Sequence, residues 1–349
     1  MGRAVSSRFD GDKYTTRSQR KKPEEMERHS MRVLLATDGS EDAALAARAA
    51  TEITRRIDAE LHVVHVLPQF PRYAFPGVTP ELYSYVLDRT DQETRDLLDE
   101  QVRHIEDSGG RVVETHTKRG PAVDEILDLA QELGVGLITL GSRGLGPLKN
   151  LVLGSVSEGV VHHAPCPVLV LRGGPGTWPP EEIVVGDDGS EEAKDAGELG
   201  SRIAGLFDAK GLLVRVYPQL PEMDLEGRGL NARTVDDELR REERKLQERA
   251  KEIKEALGSR PRIRLSVGDP APILLETAEE GAAAERTLIA VGSRGLGVMR
   301  RMRLGSVSTK VLRASKGPVL IFPRVGEEVP PRHVGLRQVR RDATKEVTP

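Results

Sequence analysis

The chain is poor in cysteine, in aromatic residues and in long apolar stretches. Its 349 residues include a single cysteine, Cys166, and only 3% aromatic residues. A lone cysteine excludes a disulfide framework and is typical of proteins in a reducing compartment. So few aromatic residues also argue against a platform on which nucleic-acid bases stack.

No stretch of about 18 apolar residues is present that could span a bilayer, and residues 1–30 lack the apolar core of a secretory signal. The formal net charge is −3, and the basic excess lies in the two terminal segments, so the body of the chain is acidic. Nucleic-acid binding relies on basic surfaces. We therefore expect a soluble cytoplasmic protein with neither a membrane nor a nucleic acid as its partner.

An internal repeat organises the sequence. The segment Gly141–Ser157 reappears as Gly292–Ser308, with the first six and the last five residues identical. The tripeptide Asp-Gly-Ser at 38–40 reappears at 188–190, and these offsets of 151 and 150 residues indicate a duplicated domain. We predict a disordered tail (1–30), a first domain (31–172), a linker (173–181), a second domain (182–324) and a second tail (325–349).

Each half alternates short apolar strands with helices, and five strands are predicted in each. This alternation predicts right-handed crossovers and a mainly parallel sheet with helices on both faces. The predicted fold class is α/β, with two tandem doubly wound domains. Ligands of such sheets bind beyond the carboxyl ends of the strands, where the strand order reverses. The first strand ends at Asp38 and the fourth at Gly141, so we expect these residues to be neighbours there.

Two segments are predicted to be irregular. Residues 68–87 contain five aromatic residues and are predicted as a loop before a helix that begins near Asp88. Three roles stay open for this loop: a lid over a ligand, a contact with the other domain, or ordinary loop packing. Residues 173–180 are rich in glycine and proline, which predicts a linker without regular structure.

The glycines of the repeated loop predict a phosphate site. Gly141 and Gly144 follow an apolar strand, where glycine permits positive φ angles and lets a ligand lie against bare backbone. Ser155 follows Gly154 and is predicted to cap a helix. The first N–H groups of a helix lie at the positive end of its dipole and can bind an anion. One such loop is compatible with a simple tight turn, but two copies with the same spacing favour phosphate.

The spacing Gly, two residues, Gly, nine residues, Gly-Ser resembles the nucleotide-binding signature of the universal stress protein family, in its ATP-binding branch. The resemblance covers residues 31–172 and 181–324. It differs from a Walker A loop, because no Gly-Lys-Ser/Thr follows. The resemblance implies two Rossmann-like, adenine nucleotide alpha hydrolase-like domains with one ATP site each, in a nucleotide-dependent sensor or regulator of a stress response.

In that family an aspartate after the first strand, a valine near the end of the second strand, and the glycine loop with its serines hold the nucleotide. The corresponding positions are Asp38, Val66, Gly141, Gly144, Gly154, Ser155, Val156 and Ser157 in the first half, and Asp188, Val216, Gly292, Gly295, Gly305, Ser306, Val307 and Ser308 in the second. An alternative role for Asp38 is a turn in which its carboxylate accepts nearby backbone N–H groups. A Mg²⁺ ion bridging the phosphates is compatible with this site, since Mg²⁺ takes few protein ligands.

Four histidines are candidates for metal ligands or catalytic residues. His62, His65, His162 and His163 have no histidine at the corresponding positions of the second half, which argues against a role shared by both halves. We therefore assign no catalytic residue and no metal ligand. A slow ATPase, or a nucleotidyl-transfer enzyme of a related adenine-binding fold, is the alternative function. A scaffold whose sites are remnants is a third.

The last predicted strands of the two halves, 167–171 and 318–322, are continuously apolar although they should lie at sheet edges. Pairing with each other would cover both edges. The sequence thus predicts an intramolecular pseudo-dimer with an approximate two-fold axis. A homodimer of whole chains stays open, and the sequence does not identify a protein partner.

Overall fold

The computed structural model describes residues 31–69, 79–144, 153–217, 232–281, 284–294 and 304–323. Within these residues the strands are β1 (Arg32–Ala36), β2 (Glu60–Leu67), β3 (Val112–Arg119), β4 (Leu137–Gly141), β5 (Val168–Leu171), β6 (Glu182–Gly186), β7 (Lys210–Tyr217), β8 (Arg262–Val267), β9 (Thr287–Gly292) and β10 (Val319–Phe322). The α-helices are α1 (Glu41–Ile57), α2 (Pro80–Asp107), α3 (Ala122–Leu133), α4 (Ser155–His163), α5 (Glu191–Gly205), α6 (Ala232–Leu257), α7 (Pro270–Glu279) and α8 (Ser306–Ala314).

The strands form one sheet in the order β3-β2-β1-β4-β5-β10-β9-β6-β7-β8. Neighbouring strands within each half are parallel. The predicted fold class, two tandem doubly wound α/β domains, is confirmed. The strand order reverses between β1 and β4 in the first half and between β6 and β9 in the second, which gives each domain one switch point.

The two halves meet at an antiparallel pair formed by β5 and β10. Leu169 lies opposite Leu320, and Val170 lies opposite Val319. Beyond the end of β5, the Arg172 guanidinium donates hydrogen bonds to the carbonyl oxygens of Leu312 and Ser315, at 2.7 and 2.6 Å. The sheet is therefore continuous across the boundary between the halves, and side-chain contacts reinforce it.

Alternate residues of the strands feed two apolar layers, one on each face of the sheet. On β1, for example, Val33 and Leu35 belong to one layer and Leu34 to the other. Helices α1, α2, α5 and α6 cover the first layer, and α3, α4, α7 and α8 cover the second. Burial on both faces explains why the strands are apolar at nearly every position rather than at every second one.

The repeated Asp-Gly-Ser tripeptide ends a strand and begins a helix in each half. The hydroxyl oxygens of Ser40 and Ser190 accept the backbone N–H groups of Ala43 and Ala193, each at 3.2 Å. These serines are N-caps, and each satisfies one of the N–H groups that a helix leaves unpaired at its start. Helices α1 and α5 therefore begin immediately beside the switch points.

Helix α2 begins earlier than predicted, at Pro80 rather than near Asp88. The Thr79 hydroxyl accepts the Leu82 N–H at 3.3 Å, and Pro80 occupies the first turn, where its missing N–H costs no hydrogen bond. The aromatic segment 68–87 is thus partly helical, while its residues 70–78 lie outside the described residues.

The linker contains regular structure, contrary to prediction. Pro175–Thr177 form a turn of 3-10 helix, stabilised by a hydrogen bond from the Thr177 N–H to the Gly174 carbonyl at 3.0 Å. Trp178 is only 1% exposed and packs edge-on against Phe207, with 5.2 Å between the ring centroids. The prediction failed because a single buried indole anchors this segment, which its glycine and proline content does not reveal.

The predicted tails, 1–30 and 325–349, lie outside the described residues. None of the helices that the structure describes combines the length and the apolar character needed to cross a bilayer.

Candidate functional site

A cleft lies at the switch point of the first domain, beyond the carboxyl ends of β1 and β4. Its volume is about 360 Å³. All eight positions that the sequence singled out in this half line it: Asp38, Val66, Gly141, Gly144, Gly154, Ser155, Val156 and Ser157. Apolar side chains from the strands and from α3 form another part of the wall: Ala36, Val64, Ala122, Ile126 and Leu140. The cleft thus combines an apolar wall with a polar loop and a helix N-terminus.

The loop glycines are required by close packing. None of Gly141, Gly144 and Gly154 has a positive φ angle, so the space around these residues, rather than their backbone conformation, requires glycine. A Cβ atom on Gly141 would lie 2.6 Å from the backbone carbon of Asp42, and one on Gly144 would overlap the Asp38 carboxylate. Glycine at these positions lets the loop approach the start of α1.

Asp42, in the first turn of α1, anchors the loop from beneath. Its Oδ2 atom accepts the Ser142 hydroxyl at 2.7 Å and the backbone N–H of Arg143 at 3.1 Å. The Arg143 side chain also donates to this oxygen, at 3.3 Å, while half of the arginine side chain stays exposed beside the cleft. Sequence reasoning missed Asp42, because an acidic residue early in a helix is ordinarily explained by the helix dipole.

Arg143 is a second residue that the sequence analysis did not single out. It lines the cleft and supplies a cationic group near the loop. A signal was present, because Arg143 lies in the six residues that recur unchanged at 292–297, where Arg294 takes its place.

Asp38 makes the turn that the sequence analysis held as the alternative to ligand binding. Its Oδ1 atom accepts the Ser40 N–H at 3.1 Å, and the Ser40 hydroxyl donates to the Arg143 carbonyl at 3.1 Å. In the second half, Asp188 Oδ1 accepts the Ser190 N–H at 3.0 Å. Asp38 makes this turn and also lines the cleft, so both roles are compatible.

The N-cap of α4 is Gly154, and Ser155 is the first helical residue, whereas Ser155 was the predicted cap. Within the described residues no side chain caps this helix, so none of them competes with a ligand for the N–H groups of its first turn. The Ser157 hydroxyl donates to the Gly141 carbonyl at 2.7 Å and thereby ties the helix to the end of β4.

The second domain repeats much of this arrangement. Gly305 is the N-cap of α8 and makes no side-chain capping hydrogen bond, and Ser306 and Val307 follow it in the first turn. The Ser308 hydroxyl donates to the Gly292 carbonyl at 2.6 Å. Asp188 follows β6, and Val216 lies near the end of β7. Gly295, the remaining predicted position, lies outside the described residues.

The second domain differs from the first in a buried ionic cluster beneath its switch point. Arg215 donates to Asp187 at 2.5 Å and to Glu242 at 2.6 Å. Burial lowers the pKa of Arg215, but the two carboxylates more than offset this, so its pKa lies above the ordinary value. The Glu242 pKa is lowered, because Lys245 and Arg215 outweigh the effect of its burial. In the first half, Thr37 and His65 stand where Asp187 and Arg215 do.

A second hollow, of about 330 Å³, lies between α5 and α6. Its lining is mostly charged and includes Lys194, Glu198 and Arg249. It lies on a helical face rather than at the strand ends, and none of the predicted site residues reaches it.

Two doubly wound domains that share one sheet, each with a glycine loop at its switch point, define a tandem α/β protein of the Rossmann-like class. The chain belongs to the universal stress protein family, whose profile matches residues 29–172 and 180–323. The resemblance inferred from the repeated glycine loop is confirmed.

Similar proteins cover one or both domains. A universal stress protein of Mycobacterium tuberculosis is 29% identical over 298 residues, which is 83% of this chain and 96% of the relative. A universal stress protein of Methanocaldococcus jannaschii is 31% identical over 142 residues, covering 40% of this chain and 81% of the relative. A universal stress protein structure from Archaeoglobus fulgidus superimposes with a TM-score of 0.57 at 24% identity, over 85% of this chain and 99% of that one. This structural likeness supports the fold alone.

Proposed function

We propose that the protein binds adenine nucleotide, ATP in the first instance, at one site per domain and acts as a nucleotide-dependent sensor or regulator in a stress response. The observation that carries the proposal is the cleft of the first domain, whose lining includes every position that the family resemblance implies for this half. The proposal also includes the cytoplasmic location expected from the sequence.

The chemistry of the cleft matches the parts of a nucleotide. Val64, Val66 and Ile126 offer an apolar wall for a base. The N-terminus of α4 has no side-chain cap among the described residues, and its first N–H groups and the positive end of the helix dipole suit phosphate oxygens. The Arg143 guanidinium adds a full positive charge on the same side, and charge-assisted hydrogen bonds to phosphate are among the stronger polar contacts. Asp38 lines the same cleft and, by the family resemblance, helps to hold the nucleotide.

The proposal extends to the second domain because the described ends of its loop and the start of its helix make the same contacts as in the first domain. Gly305 N–H donates to the Ser293 carbonyl at 2.6 Å, as Gly154 N–H does to the Ser142 carbonyl at 2.7 Å. Each glycine therefore places the start of its helix against the loop in the same way. We expect two nucleotides per chain.

Mass spectrometry of small molecules released from freshly purified protein tests whether adenine nucleotide is bound. Calorimetric titration of nucleotide-free protein with ATP and Mg²⁺ then counts the sites. A Cβ atom at position 154 would lie 3.2 Å from the Ser142 carbonyl oxygen, and one at position 305 would lie 3.3 Å from the Ser293 carbonyl oxygen. The branched side chains of Gly154→Val and Gly305→Val should therefore each remove one equivalent of bound ATP. Gly176→Val is the control, because nothing lies within 4 Å of a Cβ atom there.

Absence of ATP binding in the wild type would refute the proposal, and loss of both sites in either single variant would show that the two sites are not independent. Phosphate release from the same samples tests the alternative function. A steady release that Gly154→Val or Gly305→Val lowers would favour a slow ATPase over a binding protein.

A further inference from the structure

A cluster of two histidines and a glutamate lies on β2 and β3 of the first domain, outside the nucleotide cleft. Its members are His62, Glu114 and His116, and one nitrogen or oxygen atom of each lies within 4.8 Å of the others. Among the residues that the structure describes, this is the one group of three such side chains whose ligand atoms come so close. We propose that these three residues bind a divalent transition-metal ion, with Zn²⁺ as the best match to their chemistry.

The register of the two strands creates the cluster. His62 lies opposite Glu114, and Val64 lies opposite His116, with a shift in register between Leu61 and His62. Residues two apart on a strand point to the same face, so Glu114 and His116 both point to the face where His62 lies. None of the three residues lines the nucleotide cleft, although Val64, which lies opposite His116, does. The proposed metal site is therefore distinct from the nucleotide site, although it belongs to the same domain.

The distances suit a tetrahedral metal. His62 Nδ1 and His116 Nε2 are 3.2 Å apart, and His116 Nε2 lies 3.8 Å from Glu114 Oε2. Two imidazole nitrogens bound to one tetrahedral zinc ion, each about 2.05 Å from the metal, are separated by about 3.3 Å. The two rings therefore already have the nitrogen spacing of a zinc site. Two imidazoles and a carboxylate, completed by water, form a common zinc ligand set.

His62 also shows the orientation expected of a metal ligand. Its ring is 4% exposed, and its Nε2 atom is buried without a hydrogen-bond partner, 3.9 Å from Glu60 Oε2. Metal-binding histidines usually donate their second ring N–H to a carboxylate or a carbonyl. Coordination through Nδ1 would put that N–H at Nε2, facing Glu60, which a small side-chain shift would bring into hydrogen-bond range.

The alternative is a simple hydrogen bond between two neutral imidazoles, in which one ring N–H donates to the other ring. The second half of the chain helps to distinguish the two cases. By strand register, Leu212, Arg262 and Arg264 occupy the positions of His62, Glu114 and His116. The second domain keeps the fold with none of the three ligands, so the sheet itself does not require them.

The test is titration of untagged full-length protein with Zn²⁺, after chelator treatment and in the absence of nucleotide, together with the visible absorption of bound Co²⁺. We expect one tight equivalent and the absorption of a tetrahedral Co²⁺ complex. His62→Leu introduces the residue that the second half has at this position. His62→Leu and His116→Gln should each weaken Zn²⁺ binding by more than about 100-fold, because mutation of residues that only support the ligands typically costs about 10- to 100-fold. Glu114→Gln should weaken binding and alter the Co²⁺ spectrum.

His163→Gln is the matched control, because His163 lies on α4 beside His162 and outside the cluster. It should leave both signals unchanged. Far-UV circular dichroism reports whether each variant folds. If His62→Leu does not fold, His116→Gln and Glu114→Gln still test the proposal, because they change side chains on β3, the edge strand of the sheet. A wild type that binds no Zn²⁺, or cluster variants that bind it as tightly as the wild type, would overturn the proposal. ATP binding measured on the same variants keeps this outcome separate from that of the proposed function.

Discussion

Asp187 Oδ2 and Arg215 Nη2 lie 2.5 Å apart and form an ion pair whose side chains are only 1% and 7% exposed. Arg249 approaches the same carboxylate oxygen at 3.9 Å, and the Glu242 carboxylate accepts a hydrogen bond from Nη1 of Arg215. A buried pair is costly to break, because the remaining charge stays in a medium of low polarity. The first domain places the uncharged Thr37 where the second places Asp187.

We predict that Asp187→Ala lowers the free energy of unfolding by about 3 kcal/mol, since it leaves the Arg215 charge poorly compensated. The double change Asp187→Thr with Arg215→His, which copies the first domain, should cost clearly less than Asp187→Ala. Urea denaturation of the three proteins measures this. A double variant as unstable as Asp187→Ala would show that packing, rather than charge, dominates the cluster.

Gly144 lines the first nucleotide site, and Gly174, which does not, serves as its control. A Cβ atom at position 144 would overlap the Asp38 carboxylate, whereas nothing lies within 4 Å of a Cβ atom at position 174. We predict that Gly144→Ala displaces Asp38 and weakens ATP binding at the first site by tenfold or more, on the order of 1.4 kcal/mol. Gly174→Ala should have no effect. If calorimetric titration gives the two variants equal affinities for ATP, Gly144 is not part of the binding site.

Leu169 tests the contact between the halves. It is fully buried, and it lies opposite Leu320 across the β5–β10 pair. We predict that Leu169→Glu lowers the free energy of unfolding by at least about 3 kcal/mol, because it removes a core side chain and buries a charge. Val113→Glu, at a half-exposed position of the edge strand β3, is the control for an added charge. Unchanged unfolding of Leu169→Glu would contradict the assignment of this contact.

Cys166 predicts a pH dependence of stability. Burial raises the pKa of its thiol to about 12, against about 8.5 in an unfolded chain. Above pH 8.5 the unfolded state loses this proton while the folded state keeps it, so stability falls as the pH rises. The expected slope is about 1.4 kcal/mol per pH unit until the folded-state pKa is reached.

Cys166→Ala removes this contribution. The difference in free energy of unfolding between the wild type and Cys166→Ala should be constant below pH 8 and should shift against the wild type at pH 9 and 10. Other groups titrate in both proteins and cancel in the difference. A difference independent of pH would mean that the folded thiol ionises as readily as the unfolded one.

The repeated glycine loop explains why so much was predictable from the sequence. Identical residues at 141–146 and 292–297 identified the duplication, and the alternation of strands and helices then predicted the fold class. Placing Asp38 near Gly141, in the same cleft, needed only the rule that ligands bind where the strand order reverses. What followed from local pattern and from topology was therefore predicted well.

Contacts that depend on exact register were not predictable. His62 and His116 are 54 residues apart, and a shift in register beside His62 decides which β3 residues it faces. Asp187, Arg215 and Glu242 do not stand out in the sequence, because charged residues are rarely buried unless they are paired, and their pairing cannot be recognised before the helix is placed. Asp42 escaped notice for the same reason. Sequence patterns report which face of an element is apolar, but not which polar groups meet beneath it.

The antiparallel pairing of β5 with β10 has a geometric consequence for signalling. All strands of the first half run one way and all strands of the second run the other, so their carboxyl ends emerge at opposite margins of the shared sheet. The two nucleotide sites proposed above would then open in opposite directions. A partner that binds over one opening cannot cover the other without reaching around the molecule. Communication between the two would have to pass through the strands of the seam, or two copies of a partner would have to bind, one at each margin.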